Sequence, residues 1–109
     1  MLSGIGSTVE NLAGAMEGEA FEVAEMYPAF IAVADAQGES GANTSFFRAM
    51  EAEKVHHDLY AKSKAAADAG KDADLGEIWV CSGCGWTGEG PAPDKCPLCG
   101  APKSMLTQF

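Results

Sequence analysis

The sequence predicts a mainly α-helical protein, in which a two-helix hairpin dimerises into a four-helix bundle and carries a small C-terminal metal module. Two long stretches, residues 8–37 and 43–69, place apolar side chains at helical spacing. All four cysteines lie in the last third of the 109 residues, as two C-x-x-C pairs. We therefore expect two units: a helical hairpin with its linker over residues 1–74, and a metal module over residues 75–109.

Composition and charge limit the classes of partner. Apolar residues make up 47% of the chain, which is typical of a folded protein. The net charge of −9 argues against nucleic acid or an anionic membrane as the main partner. No apolar run approaches the roughly 20 residues of a membrane span, and the first residues lack the basic region of a signal peptide. We therefore expect a cytoplasmic protein.

The first predicted helix runs from about Ser7 to about Gln37. Ser7 and Glu10 have the spacing of an N-terminal capping box, and Gly38 suits the position after the last turn. Pro28 lies inside the helical pattern and should bend the helix. Because the apolar period continues beyond this proline, we predict one bent helix rather than two.

The second predicted helix runs from about Asn43 to Ala69 and stops at Gly70. The connecting turn, residues 38–44, is short enough to make the two helices an antiparallel hairpin. At helical spacing, the packing face of the second helix carries Phe46, Ala49, Met50, Glu53, His56, His57 and Tyr60. A lone hairpin would leave its apolar faces in water, so we expect other helices to cover it.

The packing faces of both predicted helices also carry groups that can bind a metal. Glu19 and Glu22 fall on the apolar stripe of the first helix, while Glu53 and His56 lie one turn apart on the second. An ionised carboxylate on a packing face is costly unless it is paired or binds a metal. Oxygen and nitrogen donors suit iron or manganese. The alternative for each residue alone is a structural role, as a surface glutamate or a satisfied histidine.

One hairpin supplies half of the ligands of a dinuclear helical site. Di-iron bundles take a Glu from each of two helices and a Glu-x-x-His from each of the other two. Two copies related by a twofold axis would complete the set, with Glu19, Glu53 and His56 from each chain. Glu22 would be an additional carboxylate. Packing and ligand count therefore both predict a dimer.

The cysteine spacing predicts a four-thiolate metal site. Cys81 and Cys84 form one C-x-x-C motif, Cys96 and Cys99 form the other, and a glycine follows each motif. Such a site is tetrahedral and accepts zinc or a single iron, so the spacing leaves the metal open. Residues 78–80 predict a short strand that leads into the first pair. A module of this size needs a metal to hold its fold.

Taken together, these motifs resemble the rubrerythrin family. The resemblance rests on EGEAFEVAEMYPAF at residues 17–30, FRA at 47–49, AEKVHHDLY at 52–60 and the two cysteine pairs, in that order. It covers nearly the whole chain from about Thr8. It implies the second helix pair of a ferritin-like four-helix domain, followed by a rubredoxin-like domain.

The resemblance implies a non-haem iron peroxidase that reduces hydrogen peroxide to water at a di-iron centre. Electrons would come from a redox donor protein and enter through an iron that the four cysteines hold. By the family pattern, Glu19, Glu22, Glu53 and His56 would ligate the irons of the helical site. Glu22 would also deliver protons, and Tyr27 would donate a hydrogen bond to a ligand glutamate.

This chain departs from the family pattern because it lacks the helix pair with which family members begin. A homodimer would rebuild the bundle from two equal halves. The competing account is a fragment, or one chain of a split protein whose partner supplies the first helix pair in a heterodimer. Two other functions stay open: an iron-binding electron carrier without peroxidase turnover, and a structural zinc ribbon on a helical dimerisation hairpin.

Overall fold

An antiparallel helical hairpin forms the first part of the protein, whose computed structural model describes residues 4–109. Its first arm consists of α1 (Thr8–Phe21), a π-helical turn (Glu22–Met26) and α2 (Tyr27–Ala36), which follow one another without a break. Its second arm is α3 (Ser40–Asp68). Across residues 4–109, no helix is both long and apolar enough to cross a membrane.

The predicted capping box sets the start of α1. The Ser7 hydroxyl accepts a hydrogen bond from the Glu10 N–H at 3.3 Å, and the Glu10 carboxylate accepts one from the Ser7 N–H at 2.8 Å. Both N–H groups would otherwise lack a partner, because the first turn of a helix has no preceding carbonyls. The helix therefore begins where the sequence predicts it.

Pro28 lies in the first turn of α2 and does not end the helical arm. The turn before it is wide, since the Tyr27 N–H donates to the Glu22 carbonyl five residues earlier. Proline has no N–H to donate to the carbonyl four residues before it, and a π-helical turn is one way in which a helix absorbs such an irregularity. The sequence predicted a bend at this proline but missed the π-helical turn.

The turn between the arms is shorter than the sequence predicted. Gly38 has a positive φ of 70°, the conformation expected after a helix end, but α3 already begins at Ser40 rather than near Asn43. The side-chain amide of Asn43 donates to Asp35 at 2.6 Å and so links α3 to α2. The predicted start was wrong because a polar residue that suits a cap can also make a contact between helices.

Within one chain, the hairpin buries few of its apolar side chains. Among the described hairpin residues only Ala34 and Ala52 are buried, with 4% and 3% of their surface exposed. Phe30, Val33 and Phe47 keep 43%, 54% and 46% of their surface in solvent. One hairpin by itself therefore leaves apolar surface exposed, as the sequence predicts for a helix pair that packs against a second pair.

The C-terminal part folds around a three-stranded antiparallel sheet. The strands β1 (Ile78–Cys81), β2 (Thr87–Glu89) and β3 (Leu106–Gln108) lie in the order β2–β1–β3, and a short 3₁₀ helix, Lys103–Met105, precedes β3. This confirms the strand predicted before the first cysteine pair. The small core of the module consists of Trp79, Cys81, Ala92, Cys96 and Leu106.

The helical arm α3 and strand β2 contact each other through two polar pairs. The Thr87 hydroxyl lies 2.9 Å from Nε2 of His56, and the Lys62 ammonium lies 2.6 Å from the Glu89 carboxylate. The Lys62–Glu89 ion pair is well exposed, so its contribution to stability is at most about 1 kcal/mol. The two pairs hold the cysteine module against the part of α3 that carries the candidate ligands.

Gly88→Ala should destabilise the C-terminal module. A Cβ atom at Gly88 would lie 2.2 Å from Cζ2 of Trp79. The indole is only 4% exposed and has little room to move. We expect the free energy of unfolding to fall by about 1–3 kcal/mol or more, measured by thermal unfolding followed through tryptophan fluorescence.

Gly41→Ala is the matched control, because a Cβ atom at this position of α3 would meet open space, with no neighbouring atom within 4 Å. This change should be neutral or stabilising by up to about 1 kcal/mol, since alanine favours the helix. Equal stability of the Gly88→Ala variant and the wild type would show that Trp79 does not need the space above Gly88.

Candidate metal centres

The four predicted cysteine ligands converge on one point. The Sγ atoms of Cys81 and Cys99 are 3.7 Å apart, those of Cys84 and Cys96 are 3.6 Å apart, and all four lie within 4.8 Å of one another. A tetrahedral metal with bonds of about 2.3 Å to sulfur places its ligands about 3.8 Å apart. A disulfide requires about 2.05 Å. The geometry therefore fits a four-thiolate metal site.

The electrostatics of the cysteine cluster also fit a cation. The pKa of Cys84 is raised to about 12, mainly by burial and also by the neighbouring cysteines. Burial acts in the same direction on Cys96, but the backbone N–H groups of Cys99 and Leu98 outweigh it and lower the pKa of Cys96 to about 7. Since a metal binds thiolates, its charge would offset the cost of ionising the buried sulfurs.

A second cluster lies between the two arms of the hairpin and consists of Glu19 from α1 with Glu53 and His56 from α3. One ligand atom from each residue lies within 4.8 Å of the others. Nδ1 of His56 is 2.6 Å from Oε2 of Glu53 and 3.9 Å from Oε1 of Glu19. The structure therefore brings together three of the four residues that the sequence predicted as helical ligands.

The Glu19 carboxyl group has an environment that suits a metal ligand. Its Oε2 atom is buried and has no hydrogen-bond partner among the described residues. The pKa of Glu19 is raised to about 8, mainly by burial and then by the proximity of the Glu53 and Glu22 carboxyl groups. A cation would stabilise the ionised carboxylate and satisfy the unpaired oxygen. The residues present therefore fit a bound metal.

Glu22 and Tyr27 lie beside this cluster. Glu22 begins the π-helical turn and acts on Glu19, but the three-residue ligand group does not include it. Burial raises the pKa of Tyr27, and the charges of Glu53, Glu22 and Glu19 raise it further. The tyrosine hydroxyl therefore keeps its proton and can donate a hydrogen bond. The predicted roles of Glu22 and Tyr27 stay predictions.

Sequence reasoning missed one residue of the helical site, Thr87. Its side chain is buried, with 8% of its surface exposed, and its hydroxyl contacts His56 from the opposite side to the carboxylates. The one available signal was general: a histidine that binds a metal through one ring nitrogen usually needs a hydrogen-bond partner for the other. That rule does not say which residue provides the partner.

Both parts of the chain match family models. Residues 3–64 match the model described as rubrerythrin, and residues 79–107 match the rubredoxin-like domain of rubrerythrin. The chain belongs to the rubrerythrin family. Its fold is accordingly ferritin-like in the helical part, and its cysteine cluster is a rubredoxin-like four-cysteine site. The Glu–His cluster is the candidate di-iron site of this rubrerythrin-family chain.

Individual rubrerythrin relatives extend this result. Rubrerythrin-2 of Clostridium acetobutylicum is 37% identical over 106 residues, covering 95% of this chain and 58% of the relative. Nigerythrin of Nitratidesulfovibrio vulgaris is 37% identical over 99 residues, covering 91% of this chain and 48% of the relative. This rubrerythrin-family chain therefore spans about half the length of the relatives that it matches.

Solved structures of nigerythrin contain the fold of this chain in about half of their length. The partially reduced state superposes with a TM-score of 0.84 at 35% identity, covering 100% of this chain and 53% of the other. The fully reduced state, which is all ferrous, gives the same TM-score. That relative is therefore an iron protein, and iron is the cofactor that the rubrerythrin family indicates for both clusters here.

In metal-free protein, Glu19→Gln should raise the free energy of unfolding at pH 7 by on the order of 1–3 kcal/mol. The pKa of Glu19 is raised from 4.5 to about 8 in the folded chain, which keeps a proton that the unfolded chain releases. Wild-type stability therefore falls as the pH rises through this interval. Glutamine has no such proton, so the stability difference between the variant and the wild type should vanish below about pH 4.5, grow as the pH rises and level off above about pH 8.

Urea denaturation of chelator-treated protein, followed by far-ultraviolet circular dichroism, measures this difference. Glu17→Gln, at an exposed position of α1, is the matched control and should change stability by less than about 0.5 kcal/mol. If Glu19→Gln were less stable than the wild type at pH 7, the description of Glu19 as a buried carboxyl group strained by its neighbours would be wrong.

Proposed function

We propose that this chain is a rubrerythrin-type peroxidase, an oxidoreductase that reduces hydrogen peroxide to water with electrons that enter through the four-cysteine iron. The observation that carries the proposal is the cluster of Glu19, Glu53 and His56 with its unpaired buried oxygen. It lies in the same chain as a four-thiolate site and in contact with that module. Iron, when bound, would supply one-electron redox chemistry at both sites.

The proposed division of labour follows the two units, residues 1–74 and residues 75–109. In the first unit, the metal ligands would be Glu19, Glu22, Glu53 and His56. In the second unit, they would be Cys81, Cys84, Cys96 and Cys99. The distances within each cluster support this assignment for Glu19, Glu53, His56 and the four cysteines. For Glu22 the support is its effect on the neighbouring Glu19.

Tyr27, and Glu22 in addition to its role as a ligand, are proposed to act on protons. Glu22 is half-buried beside Glu19, where it can carry a proton to the peroxide site. Tyr27 keeps its hydroxyl proton next to three carboxylates and can donate it in a hydrogen bond to one of them. Together they would supply and orient the protons that water formation consumes.

A homodimer is the assembly that we propose for this function. One chain provides one Glu and one Glu-x-x-His, which is half of the set in di-iron helical bundles. The exposed apolar side chains of Phe30, Val33 and Phe47 are a second argument for the dimer, because a second hairpin could cover them. A heterodimer with a chain that carries the other helix pair would also complete the ligand set and cover the apolar side chains.

The redox donor protein is expected to approach the outer edge of the cysteine cluster. Cys81 and Cys96 are buried, with 1% and 2% exposure, whereas Cys84 and Cys99 are partly exposed. A donor can therefore come closest to the iron on the side of Cys84 and Cys99. The net charge of −9 argues against nucleic acid or an anionic membrane as the main partner, and a cytoplasmic location stays a prediction.

Glu53→Ala should remove the iron of the helical site and leave the four-cysteine iron in place. Wild-type protein should contain about two irons per chain, one in the cysteine site and half of a shared pair. The variant should contain about one. Metal analysis of protein purified without added metal measures the ratio, and Asp58→Ala, at an exposed position of α3, should match the wild type.

A Glu53→Ala variant that keeps all its iron would exclude the helical metal site. One zinc and no iron in the wild type would leave a structural zinc ribbon on a helical dimer, because zinc has no redox chemistry.

Peroxide consumption tests the enzymatic part of the proposal. With a reductant that reduces the four-cysteine iron, the wild type should consume hydrogen peroxide in steady state. Glu53→Ala should lower the rate by at least about tenfold, and Asp58→Ala should not change it. Full iron content without peroxide turnover would instead identify an iron-binding electron carrier.

A further inference from the structure

The His56 ring contacts polar groups from two different parts of the chain. Its Nδ1 atom faces the carboxylates, at 2.6 Å from Glu53 and 3.9 Å from Glu19. Its Nε2 atom lies 2.9 Å from the hydroxyl of Thr87, which belongs to strand β2 of the cysteine module. The orientation of the ring therefore depends on contacts at both nitrogens, and one of them comes from outside the helical hairpin.

The structure holds the Thr87 hydroxyl firmly in place. Thr87 is 8% exposed and pairs with Val80 in the sheet, so its position within the cysteine module is fixed. Its Oγ1 atom also lies 3.3 Å from the Gly85 carbonyl, to which it can donate a hydrogen bond. A nearby second contact, between Lys62 and Glu89, keeps β2 against the same face of α3.

A hydroxyl suits both states that the His56 ring must adopt. With the ring proton on Nδ1, His56 can donate a hydrogen bond to Glu53, and Nε2 can accept one from the Thr87 hydroxyl. A histidine that binds a metal through Nδ1 carries its ring proton on Nε2 instead. The Thr87 oxygen can then accept from Nε2–H while its own proton turns to the Gly85 carbonyl. Each nitrogen has a partner in both states.

We propose that Thr87 is a positioning residue for the helical metal site: it directs Nδ1 of His56 toward Glu19 and Glu53 and stabilises the ring with its proton on Nε2. This role rests on the metal site of the proposed function, but not on the peroxidase reaction. It also joins the two centres within one chain, since Gly85 directly follows the cysteine ligand Cys84.

Thr87→Val removes the hydroxyl and keeps a β-branched side chain of nearly the same shape in β2. With the cysteine site already filled, the helical site of this variant should bind ferrous iron about 10- to 100-fold more weakly than the wild type. Thr87→Ser keeps the hydroxyl and should restore the affinity. Thr107→Val, at an exposed position of β3 in the same module, should have wild-type affinity.

A spectroscopic measurement separates positioning from a general structural role. In zinc-filled protein with ¹⁵N-labelled histidine, NMR should show a His56 Nε2 proton that exchanges slowly with water in the wild type and in Thr87→Ser. That proton should exchange fast in Thr87→Val, although the variant still retains its four-cysteine metal. The wild-type spectrum tests the proposal even if the variant fails to fold.

Two results would overturn this role of Thr87. One is a wild-type His56 without a slowly exchanging Nε2 proton; the other is a folded Thr87→Val protein whose iron affinity stays within about twofold of the wild type. Neither measurement uses peroxide. Failure of the peroxidase proposal alone would therefore appear as absent turnover with the slow proton and the affinity difference both intact.

Discussion

A cluster of carboxyl groups packed between α1 and α3 is the constraint on which the rest of the structure depends. Glu19 and Glu53 approach each other between the helical arms, and Oε2 of Glu19 has no partner among the described residues. Such a cluster lowers the stability of the metal-free fold near neutral pH, because a buried carboxyl group either loses hydration as an ion or keeps a proton that the unfolded chain releases. The same geometry presents carboxylate oxygens and an imidazole nitrogen to a cation. Stability without metal and affinity for metal are therefore opposed at this site.

The π-helical turn determines which residues of the first arm share the site. In a regular α-helix, Tyr27 would be rotated by about 80° from Glu19 around the helix axis, since eight residues exceed two turns. One extra residue in the wide turn reduces this rotation to about 20°. Tyr27 consequently lies where the charges of Glu19, Glu22 and Glu53 act on its hydroxyl. An irregularity next to Pro28 thus brings a proton donor to the carboxylates.

The two units depend on each other through a small contact. The cysteine module has a core of a few side chains and needs its metal to keep the sheet in place. That sheet in turn holds Thr87 against His56 and Glu89 against Lys62. Folding of the module around its metal therefore affects the orientation of a ligand in the other site. The exposed apolar side chains of Phe30 and Val33 do not belong to this contact, because they lie near the turn between the two arms of the hairpin.

Features that arise from neighbouring residues could be predicted from the sequence. The Ser7–Glu10 capping box, the strand before Cys81, the two cysteine pairs and the Glu53–His56 spacing all depend on residues a few positions apart, whose relative placement the local backbone determines. The π-helical turn, the start of α3 at Ser40 and the Thr87–His56 contact could not be predicted in this way. The first two depend on irregularities that an apolar period does not encode, beside Pro28 and at the Asn43–Asp35 contact. The third depends on how distant segments pack, and a local period carries no information about a partner that lies 31 residues away in the chain.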